Sequence, residues 1–499
     1  MLCKVLWYSS FSVTFLSTCG YRVTISTIGW LNLSWLLLDL VIVTVLIPTI
    51  LLQRRESGAT LAWIMVILFI PFVGLITFWL LGTTRLHLRR RKRRKVESRL
   101  APEIQRVHSH AEHSFPPENA PQTLIHLARQ FDGIGPLGGN QIDIYRSGQA
   151  LFDDLELAID QATQHIHLVY YIWQPDTTGQ RILEALVRAA ERGVQVRLLI
   201  DDVGSRGIKR LFLNPLEMSG GQIERFLPVN PLNRQLALNN RNHRKLVAID
   251  GRQAFIGGMN IGDQYAANAE SWIDLHARVY GPVVHSIQEI FCQDWYHAAA
   301  QDLANREYFP PLDHSGPVHA QLLSSGPADE RWKSIHTFIF AAINLAQEKV
   351  YIETPYFVPD QPILLALHTA ALRGIDVRLL LPGRSDHPLV LYAGRSFQDE
   401  LLDAGVRIFE LKNIMTHAKT MTIDGYLSII GSANLDQRSF RLNFESNLFC
   451  MDSSVTRQME LDFLKLCSRA EEISLDQRKT LPASRKLIES LCRVLSPLL

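Results

Sequence analysis

Cysteine is scarce in this chain of 499 residues, and none of it is spaced for metal binding. The six cysteines stand at positions 3, 19, 292, 450, 467 and 492, and no two of them form a Cys-x-x-Cys pair. This spacing excludes the common zinc motifs and a disulfide framework. We therefore expect small buried side chains or free thiols, which is typical of a reducing cytoplasm.

A broad excess of positive charge is also missing. The net charge is +2, although residues 89–95 alone carry seven positive charges, so the rest of the chain has a net charge of −5. A protein that binds nucleic acid without sequence preference spreads basic side chains over one face. We therefore expect no nucleic-acid partner for the catalytic body.

Two stretches near the N-terminus almost lack charge. Residues 30–52 are apolar apart from Asn32 and Asp39, and residues 61–81 contain no charged residue. Each stretch is about 20 residues long, which is enough to cross the hydrocarbon core of a bilayer. We predict a transmembrane helical hairpin over residues 28–84, with helices at about 30–52 and 61–81.

The segments on either side of this hairpin indicate its orientation. The basic run 89–95 lies in a polybasic and proline-containing linker, residues 85–122, which follows the second predicted helix. Because basic residues accumulate on the cytoplasmic side of membrane proteins, we expect a multi-pass protein with its catalytic domain in the cytoplasm. Residues 1–27 match neither a signal peptide nor a full membrane span and have no assignment.

Two matching motifs, 174 positions apart, carry most of the chemical information. In each motif His and Lys are two apart, an Asp lies five residues past the Lys, and an Asn lies ten residues past the Asp. The first motif consists of His243, Lys245, Asp250 and Asn260. The second consists of His417, Lys419, Asp424 and Asn434. Two copies matched over 18 positions indicate one shared chemistry.

These residue types suit the transfer of a phosphoryl group. Alternate residues of a strand share one face, so each His and its Lys would project together from an apolar strand. One imidazole can attack phosphorus while the other, protonated, donates to the departing alkoxide. Two ammonium groups offset the charge of the phosphate oxygens, so the reaction requires no metal and no cofactor. The amides of Asn260 and Asn434 can donate hydrogen bonds to a phosphate oxygen.

Four carboxylates accompany the two imidazoles. A carboxylate behind an imidazole fixes its tautomer and helps to separate the two pKa values. Asp274 and Glu445 are the candidates for this orienting role, and they lie 31 and 28 residues past the His of the same half. Asp250 and Asp424 belong to the motifs and are grouped with the catalytic residues, but each directly precedes a glycine. We interpret them as turn or ion-pair residues, more structural than chemical.

The duplication extends beyond the motifs. From about residue 123 apolar strands alternate with helices, and the strand at 194–200 has a counterpart at 375–381. This alternation indicates an α/β fold. We predict two similar halves, residues 123–315 and 316–499, which are related by a pseudo-twofold axis and share one site between them.

The tail of the second half, about residues 456–495, mixes charged and apolar residues. Leu466, Leu487, Ile488, Leu491 and Val494 form its apolar stripe. We interpret this stripe as core packing rather than as a membrane-docking face.

The paired motifs resemble the duplicated His-x-Lys-x4-Asp motif of the phospholipase D superfamily, and within it the chain is similar to the bacterial cardiolipin synthases. The stretches that carry the resemblance are residues 240–245, 257–263, 325–327, 354–360, 386–388, 431–436, 438–440, 443–445 and 495–499. The similarity covers roughly residues 28–499, and the first 27 residues have no counterpart.

This resemblance implies phospholipase D-like α/β/α halves in a phosphatidyltransferase of the bacterial inner membrane. It implies that two phosphatidylglycerol molecules condense to cardiolipin and glycerol through a phosphohistidine, with His243 as the nucleophile and His417 as the acid. Three alternatives stay open: a membrane phospholipase D or transphosphatidylase with other lipid substrates, a nuclease of the superfamily, and a non-catalytic scaffold. The residues alone do not set the second phospholipid or the oligomeric state.

Overall fold

The computed structural model describes residues 12–16, 22–52, 57–78, 120–229, 240–266, 272–312, 314–327, 334–412 and 414–494. Contacts within the chain define two units, Met1–Thr84 and Arg85–Leu499. The basic run and almost all of the predicted linker lie outside the described residues.

Among its described residues, the first unit has one helix that is long and apolar enough to cross a membrane. Strands β1 (Ser12–Leu16) and β2 (Arg22–Ser26) form an antiparallel pair before it. The helix Thr27–Leu52 begins slightly before the predicted start and contains the apolar span Ser34–Leu52, whose mean hydropathy is 2.5.

The second predicted membrane helix is interrupted, and this corrects the expectation of one continuous helix over residues 61–81. The structure has two shorter helices instead, Ser57–Phe69 and Pro71–Thr77. Pro71 has no amide hydrogen, and in a continuous helix its ring would clash with the carbonyl group four residues earlier. Residues 79–81 lie outside the described part of the chain.

Aromatic side chains join the helices of the first unit. Trp35 meets Phe72 and Trp63 meets Phe78 edge to face, with ring centroids 5.0 and 5.3 Å apart. Many other apolar side chains remain exposed, and Leu52 is 82% exposed. A helix with apolar residues on all sides is typical of a membrane span.

The second unit is built on one long sheet. Its strands, with the short pairs that flank the sheet, are β3 Leu137–Tyr145, β4 His165–Tyr170, β5 Gln195–Asp201, β6 Gln222–Phe226, β7 Leu246–Ile249, β8 Gln253–Gly257, β9 Trp272–Ile273, β10 His276–Tyr280, β11 Val318–Ser325, β12 Lys349–Glu353, β13 Phe357–Val358, β14 Asp376–Pro382, β15 Arg407–Leu411, β16 Met415–Thr416, β17 Thr420–Ile423, β18 Leu427–Gly431, β19 Leu435–Asp436, β20 Glu445–Met451 and β21 Glu471–Ile473. Four of these, β9, β13, β16 and β19, pair outside the long sheet.

The two halves contribute the same arrangement of strands. From the middle outward, the first half runs β3-β10-β8-β7-β4-β5-β6 and the second runs β11-β20-β18-β17-β12-β14-β15, with β21 at the outer edge. Strands β3 and β11 pair antiparallel, so the sheet continues from one half into the other. Strands β4, β5 and β6 are parallel, as are β12, β14 and β15, which fits the predicted α/β class.

Helices pack on both faces of this sheet. In the first half, Leu246 belongs to the apolar cluster of helix Val283–Ala299, whereas its neighbour Val247 belongs to the cluster of helices Gly148–Gln161 and Thr177–Glu191. Successive side chains of a strand point to opposite faces, so these helices form two layers. The other described helices of the second unit are Gln122–Asp132, Arg210–Met218, Asp263–Ala266, Ser334–Leu345, Gln361–Leu372, Pro388–Arg395, Gln398–Asp403, Gln437–Arg441, Ser453–Cys467, Leu475–Lys479 and Ala483–Val494, with a short 3-10 turn at Arg306–Tyr308.

The first helix of the second unit packs with the second half, although it precedes the first half in the sequence. Leu124 and Ala128 of helix Gln122–Asp132 lie in the apolar cluster that contains Phe338. The side chain of Gln321 also donates to the carbonyl oxygen of Ala128 at 3.1 Å. Residues 123–132, which the prediction assigns to the first half, therefore pack with the core of the second half.

The interpretation of the apolar stripe as core packing is correct for Leu466, which is buried in helix Ser453–Cys467, but it is wrong for the apolar residues of the tail helix Ala483–Val494. The apolar residues at 487, 488, 491 and 494 are exposed, whereas Glu489 and Cys492 are buried. The physical reason is an ion pair, because Glu489 lies 2.7 Å from the buried guanidinium group of Arg478. That pair turns the polar side of the helix inward.

Candidate active site

The two motif histidines lie just before strands rather than within them. Lys245 directly precedes β7 and Lys419 directly precedes β17. Each histidine is held by a backbone bond from the other half: His243 N donates to the carbonyl oxygen of Phe444 at 2.9 Å, and His417 N donates to that of Ile273 at 2.6 Å. These contacts belong to two short parallel pairings, one of them between β9 and β16.

Each candidate carboxylate contacts the histidine of the opposite half. Glu445 Oε2 lies 3.1 Å from His243 Nδ1, and Asp274 Oδ2 lies 2.7 Å from His417 Nδ1. Both carboxylates are buried. In the sequence each carboxylate follows the histidine of its own half. In the structure the parallel pairings bring each carboxylate to the histidine of the other half. One site therefore needs residues from both halves.

The surroundings of His243 fix its tautomer. Its Nδ1 lies between two acceptors, Glu445 Oε2 and the carbonyl oxygen of Ser432 at 3.0 Å. An imidazole nitrogen between two acceptors carries the hydrogen, so the lone pair remains on Nε2. Glu445 is itself held by the Ser432 hydroxyl, which donates to it at 2.5 Å, and by the amide of Asn443 at 3.0 Å. His243 thus presents a basic nitrogen on its other side.

The two motif lysines are buried beside the imidazoles. Lys245 Nζ donates to the carbonyl oxygen of His243 at 2.5 Å. Lys419 Nζ lies 2.8 Å from Nδ1 and 3.2 Å from Nε2 of His417. Burial, followed by the charge of Lys419, lowers the pKa of Lys245 to about 7. Burial lowers the pKa of Lys419 to about 8, although Asp274 opposes this shift.

The two imidazoles differ in their electrostatic surroundings. Burial lowers the pKa of His243, and the charge of Glu445 opposes that shift. Burial and then the charges of Lys419, Lys245 and His243 place the pKa of His417 well below its ordinary value. Charged groups of the first half therefore act directly on the histidine of the second, so the two motifs converge.

The two carboxylates differ in the same way. Burial alone would raise the pKa of Glu445, but His243 leaves it below its ordinary value. Burial raises the pKa of Asp274, with Lys419 opposing. The pair of His243 and Glu445 thus favours a charged carboxylate more strongly than the pair of His417 and Asp274. Such unequal environments are what an acid and a base need when they act at one pH.

The motif aspartates make their hydrogen bonds away from the imidazoles. Asp250 accepts from the backbone amides of residues 163, 164 and 165 at 2.8 Å each, and Asp424 accepts from those of 347, 348 and 349 at 2.8–2.9 Å. Both have positive φ angles, 52° and 49°. Their carboxylates hold the backbone at the start of β4 and β12.

The two motif asparagines are buried near the histidines and already have partners. The amide nitrogen of Asn260 donates to the Tyr265 hydroxyl at 3.0 Å, and its oxygen accepts from the Ile172 amide at 3.1 Å. The amide nitrogen of Asn434 donates to Asp436 at 3.2 Å. Each amide nitrogen carries two hydrogens, so one remains for a further acceptor.

Aromatic side chains that the motifs did not indicate line the histidines. The Tyr171 ring lies 4.8 Å from that of His243. The Tyr265 hydroxyl lies 3.5 Å from His417 Nδ1, and the Trp272 ring lies 5.0 Å from the His417 ring. Two signals were available in the sequence: Tyr171 directly follows an apolar strand, and Trp272 stands two residues before Asp274.

A second group that the motifs did not indicate supports His417 from behind. Glu353 is buried, lies 2.8 Å from Arg146 of the first half, and accepts a short hydrogen bond from Thr416. Thr416 directly precedes His417. No local pattern in the sequence joins these residues, because the contact depends on how the two halves meet.

The described residues offer no group of three or more His, Cys, Asp or Glu side chains placed to hold a metal ion. The described cysteines, at 292, 450, 467 and 492, are buried free thiols. This agrees with the interpretation of the cysteine spacing.

Comparison with known proteins follows the same division of the chain. A family described as "Cardiolipin synthase, PLD-like domain" matches residues 155–295 and again residues 339–467. A second family, described as "Phospholipase_D-nuclease N-terminal", matches residues 33–82. The two copies of the first family fall on the two halves of the sheet, and the second falls on the apolar helices of the first unit.

Full-length relatives give the same result. A cardiolipin synthase of Staphylococcus aureus (strain Mu50) is 35% identical over 464 residues, which cover 90% of this chain and 93% of the relative. A cardiolipin synthase of Geobacillus thermodenitrificans is 38% identical over 459 residues, with 90% of each chain covered.

Among solved structures, phosphatidylserine synthase of Haemophilus influenzae Rd KW20 has a similar fold. Its TM-score is 0.55 at 14% sequence identity, and the match covers 72% of this chain and 95% of that one. This likeness concerns the fold alone.

Proposed function

The chain belongs to the cardiolipin synthase family with phospholipase D-like domains, and from this premise we propose that it transfers a phosphatidyl group from one phosphatidylglycerol to a second, forming cardiolipin and releasing glycerol. The observation that carries this proposal is the crossed contact of each histidine with the carboxylate of the opposite half. This crossed contact joins the two motifs into one site. A two-step transfer through two imidazoles requires such a site.

In the first step, Nε2 of His243 attacks the phosphorus of the donor lipid. The tautomer held by Glu445 and the Ser432 carbonyl group leaves the lone pair on that nitrogen. A phosphorus–nitrogen bond forms as the phosphorus–oxygen bond to glycerol breaks. His417 donates a proton to the departing glycerol oxygen. The product of this step is a phosphohistidine at residue 243.

In the second step, the glycerol hydroxyl of another phosphatidylglycerol attacks the phosphohistidine. His417 takes the proton of that hydroxyl, the phosphorus–nitrogen bond breaks, and cardiolipin forms. The same imidazole thus serves as acid and then as base. At the end of the second step His417 again carries the proton that it donates in the first step.

The charge of the transferred phosphate is offset by Lys245 and Lys419. Burial imposes a desolvation penalty on both ammonium groups, and this penalty lowers their pKa values. A bound phosphodiester returns a negative partner and favours the charged forms. We further propose that the free amide hydrogens of Asn260 and Asn434 donate to the phosphate oxygens.

The domain organisation that fits this mechanism has two halves around a pseudo-twofold axis, residues 123–315 and 316–499. The identical order of seven strands in each half supports it, as does the reciprocal exchange of carboxylates. The helix at 122–132, which packs with the second half, departs from this boundary.

The membrane arrangement that we propose is a hairpin. The span Ser34–Leu52 crosses the bilayer, and the two helices Ser57–Phe69 and Pro71–Thr77 return together. The basic run at 89–95 favours a cytoplasmic catalytic domain in the inner membrane, where it would also attract anionic phospholipid.

The test is a product assay with the purified full chain and labelled phosphatidylglycerol, without added metal. Cardiolipin and free glycerol in equal amounts are the expected products. Phosphatidic acid with no cardiolipin would identify a phospholipase D instead. Consumption of phosphatidylethanolamine in a mixed vesicle would show a different second substrate.

A further inference from the structure

The tail helix Ala483–Val494 presents an apolar face to the outside. Leu487, Leu491 and Val494 are 61%, 58% and 75% exposed, and Ile488 between them is 48% exposed. At 3.6 residues per turn these positions lie on one side of the helix. A helix on the surface of a water-soluble protein turns its apolar side to the core and its charged side to solvent.

The inward side of this helix is held by charged groups. Arg478 lies 2.7 Å from Glu489 and 2.6 Å from Asp399, and both Arg478 and Glu489 are buried. Arg493 lies 2.9 Å from Glu400. These ion pairs fix the rotation of the helix, so its apolar side faces outward by construction.

The apolar face continues toward the candidate active site. Helix Pro388–Arg395 packs beside the tail helix and adds Leu389, which is 52% exposed. It begins two residues after Asp386, which accepts from the Tyr356 hydroxyl at 2.7 Å. The Tyr356 ring in turn lies 6.4 Å from the ring of His417. The segment from Asp386 to Leu389 thus connects the apolar residues to the side of the candidate active site where His417 lies.

Basic residues accompany the apolar face. Residues 475–494 contain five Lys or Arg; Arg478, Arg485 and Arg493 are paired with Glu489 or Glu400, which leaves Lys479 and Lys486 without an acidic partner inside among the described residues. Lys479 is 67% exposed at its side chain, and Asp476 beside it is 96% exposed. An apolar face flanked by Lys and Arg is the pattern of a helix that lies in the interface of an anionic bilayer.

We propose that Leu389, Leu487, Ile488, Leu491 and Val494 form a docking surface that inserts into the headgroup region of a bilayer containing anionic phospholipid. The surface holds the catalytic unit with the His417 side of its site at the lipid surface. This inference rests on the proposed function, since a bilayer lipid as substrate selects the bilayer as the occupant of the surface.

The position of the surface is tested with a nitroxide label in the full chain, reconstituted in phosphatidylglycerol vesicles. The label is attached at Leu491→Cys, in a chain in which Cys3 and Cys19 are replaced by serine. The control label is attached at Leu211→Cys, because Leu211 is 77% exposed on helix Arg210–Met218. The label at 491 is expected to gain contact with oxygen and lose contact with a water-soluble nickel chelate, whereas the label at 211 stays in water. Equal access of the chelate at both positions overturns the proposal, and so does spin–spin broadening at 491, which would show a second copy on the surface.

A kinetic comparison tests whether docking serves turnover. Leu487→Ser/Leu491→Ser is expected to raise the KM for phosphatidylglycerol in vesicles about tenfold, with kcat in detergent mixed micelles unchanged. The matched control is Leu365→Ser/Leu372→Ser, at two equally exposed leucines of helix Gln361–Leu372. Equal effects of the two pairs, or an equal loss in micelles, overturn the proposal. If the unsubstituted chain makes no cardiolipin, the proposed function fails, and the label still reports where the helix lies.

Discussion

Glu445, at the start of a strand in the second half, hydrogen-bonds His243 of the first half across 3.1 Å. Asp274 of the first half makes the reciprocal contact with His417 at 2.7 Å. Each histidine therefore has a carboxylate of the other half beside its Nδ1.

Replacing Glu445 removes the charge behind the nucleophile that we propose. Glu445→Gln keeps an acceptor for Nδ1, but it no longer stabilises positive charge on the ring, so kcat is expected to fall about 10²- to 10⁴-fold. Because the charge of Glu445 raises the pKa of His243, its loss lowers that pKa and moves the acidic limb of the kcat/KM profile to lower pH. Glu472→Gln, on the outer edge strand, is the control. An unchanged pH profile would contradict the role of Glu445.

The two histidines differ in the step that they serve. His243→Ala and His417→Ala are each expected to abolish cardiolipin synthesis. With a donor whose leaving group needs no proton, such as a nitrophenyl ester, His417→Ala is expected to regain the first step and to accumulate a phosphohistidine, whereas His243→Ala is not. Mass spectrometry of the digested protein locates the phosphoryl group. A phosphohistidine at residue 417 would reverse the assignment.

Because the pKa values of the motif lysines are lowered, we expect a loss of activity at alkaline pH. Their pKa values are lowered to about 7 and about 8, so each ammonium group is charged below that pH and loses its proton as the pH rises through it. We expect kcat/KM to decline above about pH 7 as phosphate stabilisation is lost. Lys245→Arg keeps its charge at all these pH values and should flatten the decline while lowering the maximum. A decline that is the same in this variant would exclude Lys245 as its cause.

The motif aspartates predict a loss of stability without a loss of chemistry. Asp250→Ala removes an acceptor for three backbone amides, which is expected to cost about 1–3 kcal/mol of unfolding free energy. Asp424→Ala should behave alike, because Asp424 accepts from three backbone amides in the same way, at residues 347, 348 and 349. Thermal unfolding in detergent measures the loss, and kcat per folded molecule should change less than tenfold. A complete loss of kcat at unchanged Tm would return these residues to the catalytic set.

Much of the fold was predictable from local patterns. Apolar strands that alternate with helices, together with two motifs 174 residues apart, were enough for an α/β fold with two similar halves. The exchange of Asp274 and Glu445 was not, because it depends on the short pairing of β9 with β16 and on its counterpart at Asn242 and Phe444. Those contacts join residues from different halves and leave no periodicity in the sequence.

Two predictions were wrong, and the structure shows the physical reason for each. The break in the second predicted membrane helix follows from Pro71, because proline lacks an amide hydrogen and disrupts the interior of a helix. The stripe of Leu487, Leu491 and Val494 was correctly spaced for a helix, but spacing does not tell which way a face points. Its direction is set by the distant partner Arg478, which binds Glu489.

The pairing of β3 with β11 makes the backbone of the two halves one hydrogen-bonded body. Separating the two halves would break this pairing. On the function that we propose, substrate and product therefore exchange while the halves remain joined, and a cross-link between the halves is expected to leave turnover intact.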